Sequence, residues 1–380
     1  MKKSWSEVEL GEVLIPRFNT LPIHPERSYQ EITVAWWGKG VRLRRSILGA
    51  EVAASDRNVV RTGDFIISKI DARHGAYGFV SSELDGGIVT NDFPVYQVNI
   101  ERMTPRWLYW LTQRANFSKM CEAASEGSTR RVRVSGAKFD QLRIPLPPLA
   151  EQERIVSHLD AIGSRITRAQ KFREEQEVEI LATLRSTFNK LEAQADWVEM
   201  GKVAPLMRRE VSIDPEGSYP ELGIRSFGRG TFHKPAVLGI ETTKRLFEIH
   251  TGDLLFSNVF AWEGAIAVAQ PEDHGRLGSH RFISCVCDSG RVLAEYLQFY
   301  FLTPGGLEKI GKASPGGAGR NRTLGIEKLA EIKVPIVSLA AQLEFKKLLC
   351  LQARIRIKAA QAAQSSTALI PSLLDRIFNS

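Results

Sequence analysis

Three basic stretches in the first half of the chain carry the residue types that bind polyanions. Arg42, Arg44 and Arg45 form a run after Gly38-Lys39-Gly40. Lys69, Arg73 and His74 lie in and around the segment that follows Thr62-Gly63-Asp64. Arg130, Arg131 and Arg133 follow the Gly- and Ser-containing stretch EGST. Guanidinium groups hold phosphates and read guanine, whereas Asn and Gln read adenine. At the matching places in the second half stand Asn258, Trp262 and Glu263 after Thr251-Gly252-Asp253, and Arg320, Asn321 and Arg322 after SPGGAG. Arg229 sits in a GRG that answers GKG. The same segment therefore carries different chemistry in each half, as reading two different base sequences would require. The plainer reading of a run such as RLRR is a solvated face.

Catalytic patterns are scarce. NDFPVY (91–96) holds the letters of an adenine-methyltransferase motif in the wrong order, and neither GKG nor GRG extends to G-x-G-x-x-G, so both read as turns. No phosphate-binding loop for ATP is present. Asp214, Asp253 and Glu263 could serve a metal-dependent nuclease of unrecognised fold, but their equivalents in the other half do not repeat the set. His24, His158, His233, His250, His274 and His280 show no ligand spacing and read as structural. Trp36, Trp37, Trp107 and Trp110 are expected to pack in the core or on helix faces. No metal site and no catalytic residue is expected.

The chain has 380 residues, a net charge of +8 and a pI of about 9.3, which suits a nucleic-acid partner. The opening MKKSWSEVEL has no apolar stretch behind its lysines, so no signal peptide is expected. The best apolar run, VLAEYLQFYFL, is too short for a bilayer and contains Glu295 and Gln298. Four cysteines without framework or zinc spacing point to a reduced, cytoplasmic protein, with C-x-C at 285–287 reading as one strand face shown twice.

The elements that must position these clusters come in two copies. Val8-Glu9-Leu10-Gly11-Glu12-Val13 is matched by Val198-Glu199-Met200-Gly201-Lys202-Val203, TGDFIIS (62–68) by TGDLLFS (251–257), and RVR (131–133) by RNR (320–322). LRSTFN (184–189) likewise answers LDRIFN (374–379). The offset is 189 or 190 throughout, so the chain is one unit of about 190 residues written twice. Each unit opens with short β-rich runs, Gly-rich turns and one amphipathic segment, an α/β (α+β) globular pattern. It then turns helical. Ile155, Leu159, Ile162, Ile166 and Ala169 recur at coiled-coil spacing, and Leu181, Leu184, Phe188 and Leu191 resume it. The second helix is expected to use Leu343, Leu348, Leu351 and Ile355, thin to AAQAAQSS, and kink at Pro371.

The expected organisation is a globular domain over 1–147, a spacer helix over 148–195, a second globular domain over 196–337 and a C-terminal helix over 338–380. The helices are expected to pair antiparallel, giving a pseudo-two-fold internal duplication.

IPLPPLAEQ (144–152) leading into a helix resembles the junction of the type I restriction–modification specificity subunit, and TGDFIISKIDARHGAYGFV (62–80) resembles that family's target-recognition domain. The second junction, VPIVSLAAQ (334–342), departs from the pattern: Val337-Ser338 replaces Pro-Pro and Ala341 replaces the glutamate. The resemblance implies that each globular domain reads one half of a split double-stranded DNA sequence while the helices fix the gap. It also implies partners: two methyltransferase subunits using S-adenosylmethionine, and restriction subunits using ATP and Mg²⁺. A specificity subunit that serves a methyltransferase alone is a milder version of the same reading.

Overall fold

The structure is a computed structural model and describes residues 5–127, 132–316 and 322–379. The chain divides into two compact units, 1–172 with 360–380, and 173–359. Both are mixed α/β.

In the first unit a five-stranded sheet runs in the order Thr20–Pro22, Asp56–Val59, Ile88–Val89, Ser28–Val34, Val41–Leu48. A four-stranded sheet runs Leu14–Pro16, Val95–Val98, Phe65–Ile67, Tyr77–Phe79, and Ser6–Glu9 pairs antiparallel with Arg143–Leu146. The second unit repeats this plan. Its five-stranded sheet runs Glu210–Val211, Leu246–Glu248, Leu277–Ser279, Ser218–Ile224, Thr231–Leu238. A three-stranded sheet centres on Leu254–Ser257, and Asp196–Glu199 pairs with Lys333–Ile336.

Backbone constraints recur at equivalent places. A Cβ on Gly49 would lie 2.0 Å from the His24 carbonyl oxygen, and one on Gly239 1.8 Å from that of Asp214, so only glycine fits either turn. The Tyr29 hydroxyl accepts from the His24 N–H at 3.0 Å, and the Tyr219 hydroxyl accepts from that of Asp214 at 2.6 Å.

Two long helices, Leu149–Glu192 and Leu339–Asn379, contribute to both units. Ile155, Val156 and Leu159 near the start of the first share a core with Leu374, Leu373 and Phe378 at the end of the second. In the other unit Leu184 and Phe188, near the end of the first helix, share a core with Phe345 near the start of the second. The helices therefore run antiparallel, and each globular core is closed by the helix end that belongs to the other sequence repeat. The LRSTFN and LDRIFN repeats are these closures. Phe188 sits 5.2 Å from Tyr296 and Phe378 sits 4.9 Å from Trp107, ring centre to ring centre. Full burial of one such aromatic contributes on the order of 1.5–3 kcal/mol.

The glutamine that ends both junction sequences explains their recurrence. The Gln152 side chain is fully buried: its Oε1 accepts from the Thr104 N–H at 2.9 Å, and its Nε2 donates to the carbonyls of Arg102 at 2.9 Å and Pro147 at 2.8 Å. Gln342 does the same with the Leu293 N–H and the carbonyls of Arg291 and Val337, each at 2.9 Å. Each glutamine satisfies three backbone groups where strand, amphipathic helix and long helix meet. Where the junctions differ, at Pro147-Pro148 and Glu151 against Val337-Ser338 and Ala341, the clasp uses only the backbone carbonyl of 147 or 337, which does not depend on the side chain.

Parts of the helical expectation are corrected. Leu181 is 38% exposed; Ile180 takes the inward position with Leu184, Phe188 and Leu191. On the second helix Leu343, Leu348, Leu351 and Ile355 are 38–52% exposed, whereas Gln342, Phe345 and Leu349 face the core. The 342/345/349 stripe wins because Phe345 joins Phe188, Tyr296 and Phe299 in one aromatic cluster. Leu348, Leu351 and Ile355 line a groove with Ile180, Thr183 and Leu184, a shallower seam than the spacing implied. The second helix holds Pro371 inside it and continues to Asn379. Cys285 closes its strand and Cys287 follows it toward the same core, both thiols pushed up to about 12 by burial. No helix among the described residues is long and apolar enough to cross a membrane.

Candidate nucleic-acid interface

The two Thr-Gly-Asp turns are foundations for the candidate loops. Asp64 is buried, takes Arg17 Nη1 at 2.7 Å and caps its own turn by accepting from the Arg61 N–H at 2.7 Å. Asp253 takes both Arg209 nitrogens at 2.6 and 3.1 Å, the His250 N–H at 3.1 Å and the Ser284 hydroxyl at 2.7 Å. The glycine before each sits at φ 85° or 87°. These ion pairs fix the start of the strand whose far end delivers the loop. They also account for Asp253 in the carboxylate set that could suit a nuclease. Asp214 caps the Glu216 N–H and Glu263 accepts from Ser226, so the three have separate structural partners. Among the described residues no group of three His, Cys, Asp or Glu side chains could hold a metal ion.

Beyond each strand the backbone is held identically. The Lys69 N–H donates to Asp92 at 2.8 Å and the Lys69 carbonyl accepts from Val134 at 2.7 Å; Asn258 makes the same two bonds with Arg281 and Leu324, both at 2.8 Å. A short 3-10 turn follows, Ala72–His74 or Ala261–Glu263, closed by a left-handed glycine at 75 or 264. Position 69/258 thus joins the loop after Thr-Gly-Asp to the segment of Arg133 and Arg322, which are separate clusters in the sequence.

The side chains on this shared frame differ. In the first unit Lys69, Arg73 and His74 are half-buried, and exposed Arg133 pairs with Asp92 at 2.9 Å. In the second Arg322 stacks over the Trp262 ring at 5.2 Å, and the Trp262 indole donates to the Val259 carbonyl at 2.9 Å. Arg73 Nε and Asn258 Oδ1 are both shielded from water with no hydrogen-bond partner among the described residues. A shielded polar atom without a partner is costly unless something completes it, and both sit in the candidate loops. Arg130, Arg131, Arg320 and Asn321 lie outside the described residues.

The basic run divides. Glu31 takes Arg44 at 3.5 Å and Arg45 at 2.8 Å. Adjacent strand residues normally point to opposite faces; a bulge after Glu31 brings both arginines to one carboxylate. Arg42 is exposed on the same strand and has no ion-pair partner among the described residues. Arg229 is exposed and lies over the Phe227 ring at 5.7 Å.

One sequence expectation fails for two of its four tryptophans. Trp107 and Trp110 are buried as expected, but Trp36 is 47% and Trp37 71% exposed. They occupy the tip of the hairpin formed by Ser28–Val34 and Val41–Leu48, against His74, whose ring is 5.2 Å from that of Trp36. The hairpin tip joins the 3-10 turn through the Trp37 N–H to the His74 carbonyl at 2.8 Å, repeated as Phe227 to Glu263 at 2.8 Å. Residue type alone argues for the core. The contrary signal is an aromatic directly before Gly-Lys-Gly and again before Gly-Arg-Gly, where a turn leaves no interior to enter.

Comparison with known proteins bears on this arrangement. Residues 2–179 match the model of the type I restriction modification DNA specificity domain. No curated protein matches the chain. Among solved structures the chain is similar to the HsdS subunit from Thermoanaerobacter tengcongensis, at 20% identity and a TM-score of 0.62, covering all of this chain and 97% of that one. It is also similar to a chain from a structure of complex assembly and conformational transition of the type I R-M system, at 20% identity and a TM-score of 0.69, covering 100% and 98%. The family match lies on the first repeat, the second repeat follows it in register, and the fold agrees over the whole length. The first repeat therefore matches a type I restriction modification DNA specificity domain, and the whole chain shares the fold of the solved HsdS subunit.

Proposed function

We propose that each unit reads one half of a bipartite duplex target, through the loop after Thr-Gly-Asp, the Arg133 or Arg322 segment and the adjoining hairpin. One observation carries this reading: identical backbone bonds at positions 69 and 258 present Lys-Arg-His chemistry in one copy and Asn-Trp-Glu chemistry in the other. Arg42, Arg44, Lys69, Arg73, His74, Arg130, Arg131 and Arg133 serve the first half-site. Arg229, Asn258, Trp262, Arg320, Asn321 and Arg322 serve the second. Arg73 Nε and Asn258 Oδ1 gain their missing partners from DNA. The paired helices set the gap between the half-sites.

The partners in this reading are two methyltransferase subunits that bring S-adenosylmethionine and restriction subunits that bring ATP and Mg²⁺, working in the cytoplasm. Exposed Leu343, Cys350 and Leu351 flanked by Lys347 and Arg354 support partner docking on the C-terminal helix. The test is methylation mapping of a host that expresses this chain with its partner subunits. Two half-sites at one fixed gap are expected, and inserting four residues in KFREEQ (171–176) should change that gap. A single contiguous motif, or a gap indifferent to the insertion, would overturn the reading.

A further inference from the structure

Trp37 and Phe227 occupy the same place in the two copies, and each combines three properties that a merely structural residue has no reason to combine. Each is 71% exposed. Each sits at positive φ, 63° for Trp37 and 62° for Phe227, and they are the only non-glycine residues at positive φ among those described. That conformation is strained for a bulky side chain and free of strain for glycine. Each tip is also bolted to the candidate readout loop by two backbone bonds. The first is that of the aromatic itself; the second runs from Gly38 to the Gly75 carbonyl at 3.0 Å and from Gly228 to the Gly264 carbonyl at 2.8 Å. A Cβ on Gly75 would sit 3.0 Å from the Gly38 nitrogen, so tip and loop approach as closely as backbone allows.

Glycine at 37 or 227 would keep the turn, remove the strain and give up only the minor buried part of a ring that is 71% exposed. Holding an aromatic there at such a disadvantage, twice, on loops whose other side chains have diverged, assigns the ring itself a task. The surroundings define the partner. Lys39 follows Trp37 by two residues, Arg42 is exposed on the same hairpin, and Arg229 stacks on Phe227. An exposed aromatic between cations suits a base step flanked by phosphates, where a ring stacks on or between bases while the cations hold the backbone.

Resting on the function proposed above, we propose that Trp37 and Phe227 are wedges. Each stacks against one base step of its own half-site and locally unstacks it. Unstacking a step also lowers the barrier to turning a nearby base out of the duplex, which modification of a base requires.

The experiment uses the full chain in its complex and duplexes carrying the mapped target, with 2-aminopurine substituted at successive positions. Binding of the wild-type complex should raise 2-aminopurine fluorescence at one step in each half-site. Trp37→Ala should abolish the rise in the first half-site only, and Phe227→Ala in the second only, with about tenfold weaker binding in each case. Trp37→Gly should match Trp37→Ala in DNA binding while melting no lower than wild type, which separates the wedge from a folding role. Trp37→Phe should retain the signal. Unchanged fluorescence and affinity in the alanine variants would overturn the wedge and leave half-site reading intact. Loss of methyltransferase-subunit association with DNA response preserved would overturn it in favour of a protein contact. A wild-type complex that selects no duplex at all would sink the DNA-reading function, and the wedge with it.

Discussion

The two copies agree in a buried frame and differ where reading is proposed. Arg17–Asp64 and Arg209–Asp253 are the same buried ion pair, and Gln152 and Gln342 make the same three-bond clasp. Above that frame, Arg73 and His74 stand where the other copy has Trp262 and Glu263. The frame carboxylates and amides are buried and each holds two or more partners, so almost any replacement strands one. Loop residues hang from backbone bonds that do not depend on side-chain identity, so they are free to vary. The proposed function needs this separation, because it lets recognition change without unfolding the chain.

The largest effect expected from this comparison lies in the clasp. Gln152→Leu strands one N–H and two carbonyls, at about 1–3 kcal/mol each, so a loss of roughly 3 kcal/mol or more is expected. Gln342→Leu should lose the same within about 1 kcal/mol, because the bonds are the same. Urea unfolding of both variants measures this. A mild effect in either, or a clear inequality, would mean that the frame is not shared in energy as it is in geometry.

The next effect is on recognition. Exchanging residues 69–74 for 258–263 should leave the melting temperature near wild type and change the sequence preference of the first half-site alone. Each base pair so mismatched should lower affinity by about 1–3 kcal/mol. Methylation mapping reads the new motif. An unchanged first half-site would place recognition elsewhere. Arg131→Ala with Arg133→Ala should be milder: binding through the first half-site weakens, and the slope of log K against log salt becomes shallower by roughly one for each phosphate no longer neutralised. The second half-site preference should not move.

How much of this is legible in the sequence follows from the same distinction. The duplication shows itself because frame residues recur at constant offset: Thr-Gly-Asp, the junction glutamine and the Leu-x-x-x-Phe helix ends all have fixed partners. The roles of those residues are not legible. Nothing in IPLPPLAEQ says that the glutamine rather than the prolines holds the joint, because two of its three partners are backbone groups of residues 102 and 104, or of 291 and 293 in the other copy, distant in the sequence. Likewise, heptad counting marks Leu343 and Leu348 as seam when Phe345 takes the inward place, since the helix packs there on a globular core as well as on its partner. Trp37 defeats a reading from residue type for a related reason. Hydrophobicity says how much a side chain gains from burial, and only a turn's geometry says whether burial is available.

The smallest effect tests whether charge between equivalent helices is interchangeable. In the first unit Asp160 of the long helix takes Arg106 through Nε at 3.1 Å and Nη2 at 2.6 Å, and also the Trp110 indole N–H at 2.8 Å. In the second the counterpart of Asp160 is Cys350, and a pair of reversed sign joins the same two helices one turn nearer the junction: Glu295 on the amphipathic helix meets Lys346 on the long helix at 2.7 Å. Phe299 there occupies the place of Trp110 and packs against Phe188 and Phe345, so no indole needs an acceptor. A half-exposed Lys–Glu pair contributes about 0–1 kcal/mol, and Glu295→Ala should fall in that range. Asp160→Ala should lose more, about 1–2 kcal/mol, because it also strands the N–H of a nearly buried Trp110. Adding Trp110→Phe to Asp160→Ala removes the stranded donor, so the double variant should lose less than the sum of the singles, by about 1 kcal/mol. Strict additivity would mean that the indole bond carries no energy. The two signs would then be equivalent solutions to one helix contact, and not a consequence of which aromatic lies beneath.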